Sequence, residues 1–309
     1  MLHKEYENVL LDIDEQGIAT LKLNRPKALN ALYGPLNRDM LAAIEEVLAC
    51  GSARVLIMTG MPKAFAAGAD LKEMLEVNPR EARAICQLAK DINEKLESMP
   101  IPTIAAVSGF AFGGGFELAL SCDFRVGGSR TTVSFPEVGL GIIPGANGMI
   151  RACHIVGPSK AKELSMLNTM VTGEEAYRLG LLNWYVEGDG ALAKAAADAK
   201  KSVSMAKLTG IEAAVTEAKK VSKEADNAFV QSEFDAIYAK ALDIAKQLCT
   251  KPARALESVK KVIYDAANVS GQQGKIREEI EFPLLFDTHD QREGMSAFGE
   301  NRSPNYTNN

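Results

Sequence analysis

The most constraining feature of this sequence is a change of pattern near residue 190. Up to that point, short apolar runs alternate with stretches that repeat apolar residues at helical spacing. Strands that alternate with helices are typical of α/β architectures. From residue 191 onward the chain is rich in Ala, Lys and Glu, with helical periodicity almost throughout. The pattern predicts an α/β core over residues 1–190 and an all-helical region over residues 191–309.

Turn and breaker residues locate the individual elements. Val9–Ile13 and Ile18–Leu23 flank four turn residues, which predicts a strand pair. Residues 54–60 and 103–108 are continuous apolar runs, as in strands covered on both faces. Helical spacing predicts further elements over residues 35–48, 80–99, 113–122, 191–248, 253–267 and 275–285. Gly271 and Gly274 are expected to separate the last two helices, and the polar tail 301–309 is expected to be frayed.

Charge and hydropathy exclude several classes of protein. The formal net charge is −5 without a basic stripe, which argues against nucleic acid as a general partner. The longest apolar run, over residues 101–107, is far shorter than the roughly 20 residues needed to span a bilayer, so no membrane partner is expected. The polar N-terminus has neither a secretory nor a transit pattern. We expect a protein of the bacterial cytoplasm, with an organelle matrix as the alternative.

The five cysteines and three histidines are scattered and have no metal-ligand spacing. Free, mostly buried thiols suit a reducing compartment. We therefore expect no metal site.

Three glycine-rich segments are candidates for function. Residues 63–72 (KAFAAGADLK) carry small side chains from a loop into a helix, where backbone N–H groups are accessible. Residues 108–117 (SGFAFGGGFE) place three glycines before a helix whose first turn contains Glu117, but the spacing is not that of a Rossmann fingerprint. Each segment also has a purely structural explanation: a tight turn for the first, close packing for the second.

The third segment is FPEVGLGIIPG over residues 135–145, which embeds Glu137 among apolar residues and glycines. A carboxylate in such surroundings has a raised pKa, which suits acid–base chemistry near neutral pH. Alternatively, Glu137 only caps a turn at the surface.

Together, AFAAGADLKEM, SGFAFGGGFELALSCD and FPEVGLGIIPG, in this order and separation, resemble the enoyl-CoA hydratase (crotonase) family. The opening LKLNRPKALNAL and the closing DQREGMSAF resemble the ends of the same family. The similarity covers roughly residues 6–190 and again about 250–300. It implies a crotonase-like spiral of repeated ββα units. It also implies C-terminal helices that drive trimerisation, with two trimers stacked into a hexamer.

The resemblance also implies site residues. The backbone N–H groups of Ala69 and Gly114 correspond to an oxyanion hole for the thioester oxygen. Glu117 corresponds to the residue that orients and deprotonates water, and Glu137 to the acid that protonates C2. Gly145 corresponds to a backbone donor to that water.

Four further positions correspond to coenzyme A contacts: Ala67, Asp70 and Leu71 around the adenine, and Arg302 for a phosphate. The resemblance implies no permanently bound cofactor, because coenzyme A arrives as part of the acyl-CoA thioester substrate.

Retention of both glutamates favours a hydratase, since double-bond isomerases that resemble this family usually keep only the second acid. A hydratase for a cyclic, branched or dicarboxylic enoyl-CoA, an isomerase, and a non-catalytic acyl-CoA-binding relative remain alternatives. Two departures matter. Asn147 stands where the family commonly has glycine, and residues 190–240 contain about 45 extra residues of helical pattern. This insertion is expected to be a surface helix or to shape the acyl pocket or a subunit interface.

Overall fold

The strands form where short apolar runs are bounded by turn residues. The computed structural model describes residues 1–208 and 210–308. The strands are β1 (Leu2–Glu5), β2 (Val9–Ile13), β3 (Ile18–Leu23), β4 (Val55–Thr59), β5 (Ala64–Ala66), β6 (Thr103–Val107), β7 (Phe110–Phe112), β8 (Phe124–Gly128), β9 (Thr132–Ser134), β10 (Val171–Thr172) and β11 (Trp184–Val186). The predicted strand pair β2–β3 and the buried strands β4 and β6 are all present.

The helices follow the segments of 3.6-residue periodicity. They are α1 (Gly34–Ala49), α2 (Leu71–Met74), α3 (Pro79–Ser98), α4 (Gly114–Leu120), α5 (Gly148–Met166), α6 (Gly173–Arg178), α7 (Gly190–Leu208), α8 (Glu212–Cys249), α9 (Ala253–Asn268), α10 (Gly271–Leu285) and α11 (His289–Gly299). Short 3₁₀ helices cover Pro26–Ala28 and Glu137–Leu140. Beyond β11 the described chain is helical up to its tail, which confirms the predicted helical C-terminal region.

Successive strands are shared between two sheets. The larger sheet has the order β1-β2-β3-β4-β6-β8-β11, and the smaller has the order β10-β9-β7-β5. β4, β6 and β8 lie side by side in parallel in the larger sheet, and the strands that follow them, β5, β7 and β9, lie in parallel in the smaller one. Each such pair leads into one or more helices. This arrangement is the expected spiral of ββα units.

The central strands are buried because helices cover both faces of the larger sheet. On one face, Leu56 and Met58 of β4 share a core with Met40 and Ile44 of α1. On the other, Ile57 packs in a second core with residues from the latter half of α8. Side chains alternate between the faces of a strand, so a continuous apolar run is needed when both faces are covered.

The extra residues between 190 and 240 form a helical hairpin. α7 packs along the first part of α8, and Ala196 and Ala199 are buried there. The hairpin is joined to the core at Glu233, a buried carboxylate that accepts hydrogen bonds from Ser129 Oγ at 2.5 Å and from the Arg130 N–H at 3.0 Å.

Two local expectations for the C-terminal region are wrong. Gly271 begins α10 and Gly274 lies within it, where an added Cβ would come within 2.5 Å of the Ala266 side chain. Gly274 therefore permits the close approach of α9 and α10 rather than ending a helix. The tail is not frayed over its described part, because Thr307 and Asn308 donate backbone N–H groups to Asp290 at 2.7 and 2.8 Å.

No helix in the described part of the chain combines the length and the apolar content required to cross a membrane. Over the same residues, no group of three or more His, Cys, Asp or Glu side chains could hold a metal ion.

Candidate active site

Glu117 is fixed by a short helix and by a neighbouring loop. It lies in the first turn of α4 and is only 2% exposed. Its Oε1 accepts hydrogen bonds from the backbone N–H groups of Ala146 and Gly148, both at 2.8 Å. Burial raises the pKa of Glu117, while these two N–H groups and the charge of Arg151 act in the opposite direction. The carboxyl group is thus held in one orientation, and its pKa is raised overall because the effect of burial exceeds that of these contacts.

Glu137 is the second buried carboxyl group. It begins the 3₁₀ helix Glu137–Leu140, and its Oε2 has no hydrogen-bond partner within the described structure. Burial, reinforced by the negative charge of Glu117, raises the pKa of Glu137 to about 7. Glu137 is only 8% exposed, which argues against the alternative that it caps a turn at the surface. Near neutral pH this group can hold or release a proton.

The three glycines at the start of α4, Gly113 to Gly115, serve both close packing and the site. Gly113 has φ +50°, and a Cβ there would lie 2.4 Å from Glu137 Oε1. A Cβ on Gly115 would lie 2.3 Å from the Ala66 carbonyl of β5. Side chains at either position would displace the acid or separate α4 from the smaller sheet.

Both glutamates face one cavity of about 100 Å³. Ala69, Gly114 and Gly145 line the same cavity, so the structure brings together five residues that the sequence predicts. Among the described residues, no protein acceptor takes the backbone N–H of Ala69 or Gly114. The remaining wall is mainly apolar, and its larger side chains are Leu32, Met40, Met74, Ile85, Ile92, Leu118, Ile142 and Ile143. No Lys or Arg is among the described residues that line it.

The residues predicted to contact the adenine lie beside this cavity. The Ala67 N–H donates to the Leu29 carbonyl at 3.1 Å, and Leu71 is 51% exposed. Asp70 caps α2 through Lys72 and pairs with Arg25 at 2.7 Å, and the Arg25 guanidinium holds the pKa of Asp70 below its ordinary value. The Asp70 side chain therefore has a structural role. Its backbone is also bonded within the protein, because the Asp70 N–H donates to the Leu32 carbonyl at 2.8 Å and its carbonyl accepts from the Met74 N–H at 3.1 Å. The role of Asp70 toward the adenine stays a prediction.

Arg302 lies outside the cavity lining. Its guanidinium donates two hydrogen bonds to Glu293, at 2.6 and 2.9 Å, and one to Glu300 at 2.7 Å. These contacts anchor the tail on α11. The role of Arg302 toward a coenzyme A phosphate stays a prediction.

Sequence reasoning missed three polar residues: Asn37 and Asn93, which line the cavity, and Arg151, which lies next to it. Asn93 and Arg151 both contact the carbonyl of Ala146, next to the loop atoms that hold Glu117. The available signal was weak: Arg151 follows the apolar pair Met149-Ile150, and Asn93 lies on the apolar side of α3.

A second, larger cavity of about 330 Å³ lies between α4, α5 and α9. Lys260 in its wall is paired with Asp123 at 2.8 Å, and neither Glu117 nor Glu137 is among the described residues that line it.

Asn147 adopts a left-handed backbone conformation, with φ +68° and ψ +12°. Gly and Asn enter this region far more readily than other residues, which explains how Asn replaces the usual glycine. We expect Asn147→Gly to keep wild-type stability and Asn147→Val to lower the free energy of unfolding by about 1–2 kcal/mol. Urea unfolding of the two variants measures the difference, and equal stability would contradict the backbone explanation.

Comparison with known proteins agrees with this geometry. A model of the family described as enoyl-CoA hydratase/isomerase matches residues 14–233. The crotonyl-CoA hydratase of Syntrophomonas wolfei is 35% identical over 306 residues, covering 97% of this chain and 98% of the relative. The short-chain-enoyl-CoA hydratase of Clostridium acetobutylicum is 39% identical over 236 residues, covering 76% and 87%. The crystal structure of an enoyl-CoA hydratase from Bacillus anthracis superposes with a TM-score of 0.77 at 28% identity, covering 98% of this chain and 100% of that one.

The spiral of ββα units and the buried pair of carboxyl groups define an α/β enzyme with the crotonase fold. The chain belongs to the enoyl-CoA hydratase/isomerase family.

Proposed function

We propose that this protein is an enoyl-CoA hydratase that adds water across the 2,3 double bond of a short-chain 2-enoyl-CoA to give the 3-hydroxyacyl-CoA. The observation that carries the proposal is that Glu117 and Glu137 face the same small, mainly apolar cavity. The names of the Syntrophomonas and Clostridium relatives support the same activity and a short acyl chain.

The two glutamates divide the chemistry between them. Both described hydrogen bonds of the Glu117 side chain go to Oε1, so its other oxygen can take a proton from water as the hydroxyl adds to C3. Glu137, with a pKa of about 7, gives its proton to C2. Release of product and a proton transfer from Glu117 to Glu137 through water restore the starting state. Because the two carboxyl groups interact, the pKa values seen in a titration describe the pair of groups and not either residue alone.

The backbone supplies the electrostatic part of the mechanism. The N–H groups of Ala69 and Gly114 donate to the thioester oxygen, where negative charge develops before C2 is protonated. The N–H of Gly145 donates to the attacking water. These donors belong to rigid backbone, so they need no reorganisation during the reaction.

A second carboxylate distinguishes hydration from isomerisation. Shifting a double bond requires one group that removes and returns a proton, whereas hydration requires a base for water and an acid for carbon. The absence of Lys and Arg among the described lining residues disfavours a dicarboxylic substrate, since its second carboxylate would be buried without a partner.

The proposal is tested by loss of the conjugated enoyl-thioester absorbance. Crotonyl-CoA is assayed beside a longer straight-chain 2-enoyl-CoA and a cyclic enoyl-CoA. Fast loss with crotonyl-CoA supports the short-chain hydratase. Turnover of the cyclic ester alone would assign the chemistry to another substrate, and saturable binding without any turnover would indicate a non-catalytic relative.

The rate should depend on pH through Glu137. We expect kcat/KM to fall as pH rises above about 7, by about tenfold per pH unit, because only the protonated carboxyl donates to C2. Glu137 is fully protonated well below its pKa and ionised well above it. Initial rates with crotonyl-CoA from pH 5 to 9 provide the measurement, with pH-jump recovery as the control for denaturation. A kcat/KM that rises through pH 7 would contradict the assignment of Glu137 as the acid.

The family relationship supports four further proposals, on assembly, cofactor, pathway and compartment. The enzyme assembles as a homotrimer or a dimer of trimers through its C-terminal helices, and it uses no permanently bound cofactor. It acts in the breakdown of fatty acyl-CoA by β-oxidation, in a bacterial cytoplasm or an organelle matrix. Sedimentation of the purified protein tests the assembly.

A further inference from the structure

The residue Ala146 is held from two sides. Its N–H donates to Glu117, and its buried carbonyl accepts hydrogen bonds from Asn93 Nδ2 at 3.1 Å and from Arg151 Nη1 at 2.7 Å. Two residues further on, Gly148 provides the second N–H that holds Glu117. The carbonyl contacts therefore fix the short loop from which both donors extend.

The geometry of Arg151 suits this role. Its side chain is 6% exposed, and its Nε and Nη2 donate to the two oxygens of Glu97 at 2.7 and 2.6 Å. Because a guanidinium is planar and rigid, this bidentate pair with α3 determines where Nη1 points. It points at the Ala146 carbonyl.

Asn93 links the same loop to the helix that carries Glu117. It is 3% exposed on α3, and its Oδ1 accepts from the Ser121 hydroxyl at 3.5 Å. Ser121 lies at the end of α4. The helix of Glu117 and the loop that holds Glu117 are thus tied to one buried side chain.

We propose that Asn93 and Arg151 are positioning residues of the hydration reaction, which keep the loop at Ala146 in the place where it orients Glu117 toward water. The proposal rests on the proposed function, because it assigns their effect through the base of that reaction. A shift of about 1 Å in a reacting group can cost on the order of 10²-fold in rate. Buried side chains that remove this freedom are therefore significant.

Arg151 also acts through its charge. The ionisable groups that face Glu117 are Arg151 from α5, Glu137 from its 3₁₀ helix and Cys86 from α3. Arg151 is the cation among them, and it holds the pKa of Glu117 down against the effect of burial. Its removal should raise that pKa and move the low-pH limb of kcat/KM to higher pH.

The test compares Arg151→Gln with Arg125→Gln. Arg125 is the matched control, because it is also buried and donates to two carbonyls, those of Leu181 and Cys122, away from the cavity. We expect Arg151→Gln to lower kcat for crotonyl-CoA on the order of 10²-fold with KM unchanged, and to shift the low-pH limb upward. Arg125→Gln should retain kcat and the pH profile per folded enzyme. If the substitutions only reduced the amount of folded protein, the rate of each variant would be lower at every pH, and the limbs of its pH profile would not move.

Asn93→Ala is the second variant, since it removes a neutral side chain that donates to Ala146 and accepts from Ser121, and it leaves the charges near Glu117 unchanged. It should lower kcat by about tenfold or more and leave the low-pH limb in place. If Arg151→Gln does not fold, Arg151→Lys is used instead. Lysine keeps the positive charge but cannot form the bidentate pair of a planar guanidinium, so this variant should lower kcat without moving the low-pH limb of kcat/KM. Wild-type kcat and pH profiles in the Arg151 and Asn93 variants would overturn the proposal. Absence of turnover in the wild-type enzyme with every enoyl-CoA would instead overturn the hydratase function.

Discussion

Replacement of Glu117 by Gln should lower kcat for crotonyl-CoA hydration by at least about 10²-fold. Gln retains an oxygen that can accept the N–H groups of Ala146 and Gly148, which now lie 2.8 Å from Oε1. The loop should therefore stay in place while the base is lost. Initial rates from the loss of enoyl-thioester absorbance provide the measurement.

Two controls separate chemistry from folding and binding. Butyryl-CoA, the saturated ester, should bind the Glu117→Gln variant as it binds the wild-type protein. Glu233→Gln also neutralises a buried, hydrogen-bonded carboxylate, but it lies at the base of the helical hairpin and should keep the wild-type rate. Near-normal turnover of Glu117→Gln would remove Glu117 from the mechanism.

Replacement of Gly114 by Pro should cost about 10²- to 10³-fold in kcat, because it removes one donor to the thioester oxygen. Gly114 is the first residue of α4, where proline is well tolerated and the N–H has no acceptor within the helix. The preceding Gly113 lacks the Cβ that a following proline would contact. The helix should therefore persist without the donor.

Gly114→Ala is the matched control for the proline variant. A Cβ at this position meets Leu32 Cδ1 at 3.3 Å in either variant, but alanine keeps the N–H. We expect Gly114→Ala to retain most of the activity. Equal losses in the two variants would assign the effect to crowding rather than to the missing hydrogen bond.

The N-terminal fold could be predicted in some detail because its signals are local. The strand pair Val9–Ile13 and Ile18–Leu23 has the predicted limits, since a turn from Asp14 to Gly17 joins the strands, with the Asp14 N–H donating to the Ile18 carbonyl at 3.1 Å. α5 was not located from the sequence. Its first residue, Gly148, follows a left-handed Asn147, and Gly157 with φ +76° interrupts its periodicity. Such a helix is stabilised by the contacts of its buried face more than by its own pattern.

Part of the candidate site could be predicted from the sequence, because a close backbone approach requires glycine and a carboxyl group in an apolar segment is unusual. Three glycines at the start of α4 and a glutamate in an apolar segment are visible in one dimension, and their resemblance to the family implied Gly114, Glu117 and Glu137. Arg302 shows the opposite case. Its sequence position suggested a phosphate contact, whereas the folded tail places its guanidinium between Glu293 and Glu300.

The sequence by itself therefore determined the alternation of strands and helices and the family resemblance, and it led to the prediction of Glu117 and Glu137 as the two reacting carboxyl groups. These depend on turn residues, apolar periodicity and motifs, which are all local. Only the tertiary structure decided that both acids face one cavity of about 100 Å³ and that Glu137 Oε2 is left without a partner. It also decided that Asn93 and Arg151 hold the loop beneath Glu117. Asn93 lies 53 positions from Ala146 in the sequence, and Arg151 lies 5 positions from it. Both side chains reach the Ala146 carbonyl only in the folded protein, so no local sequence pattern could predict the contact.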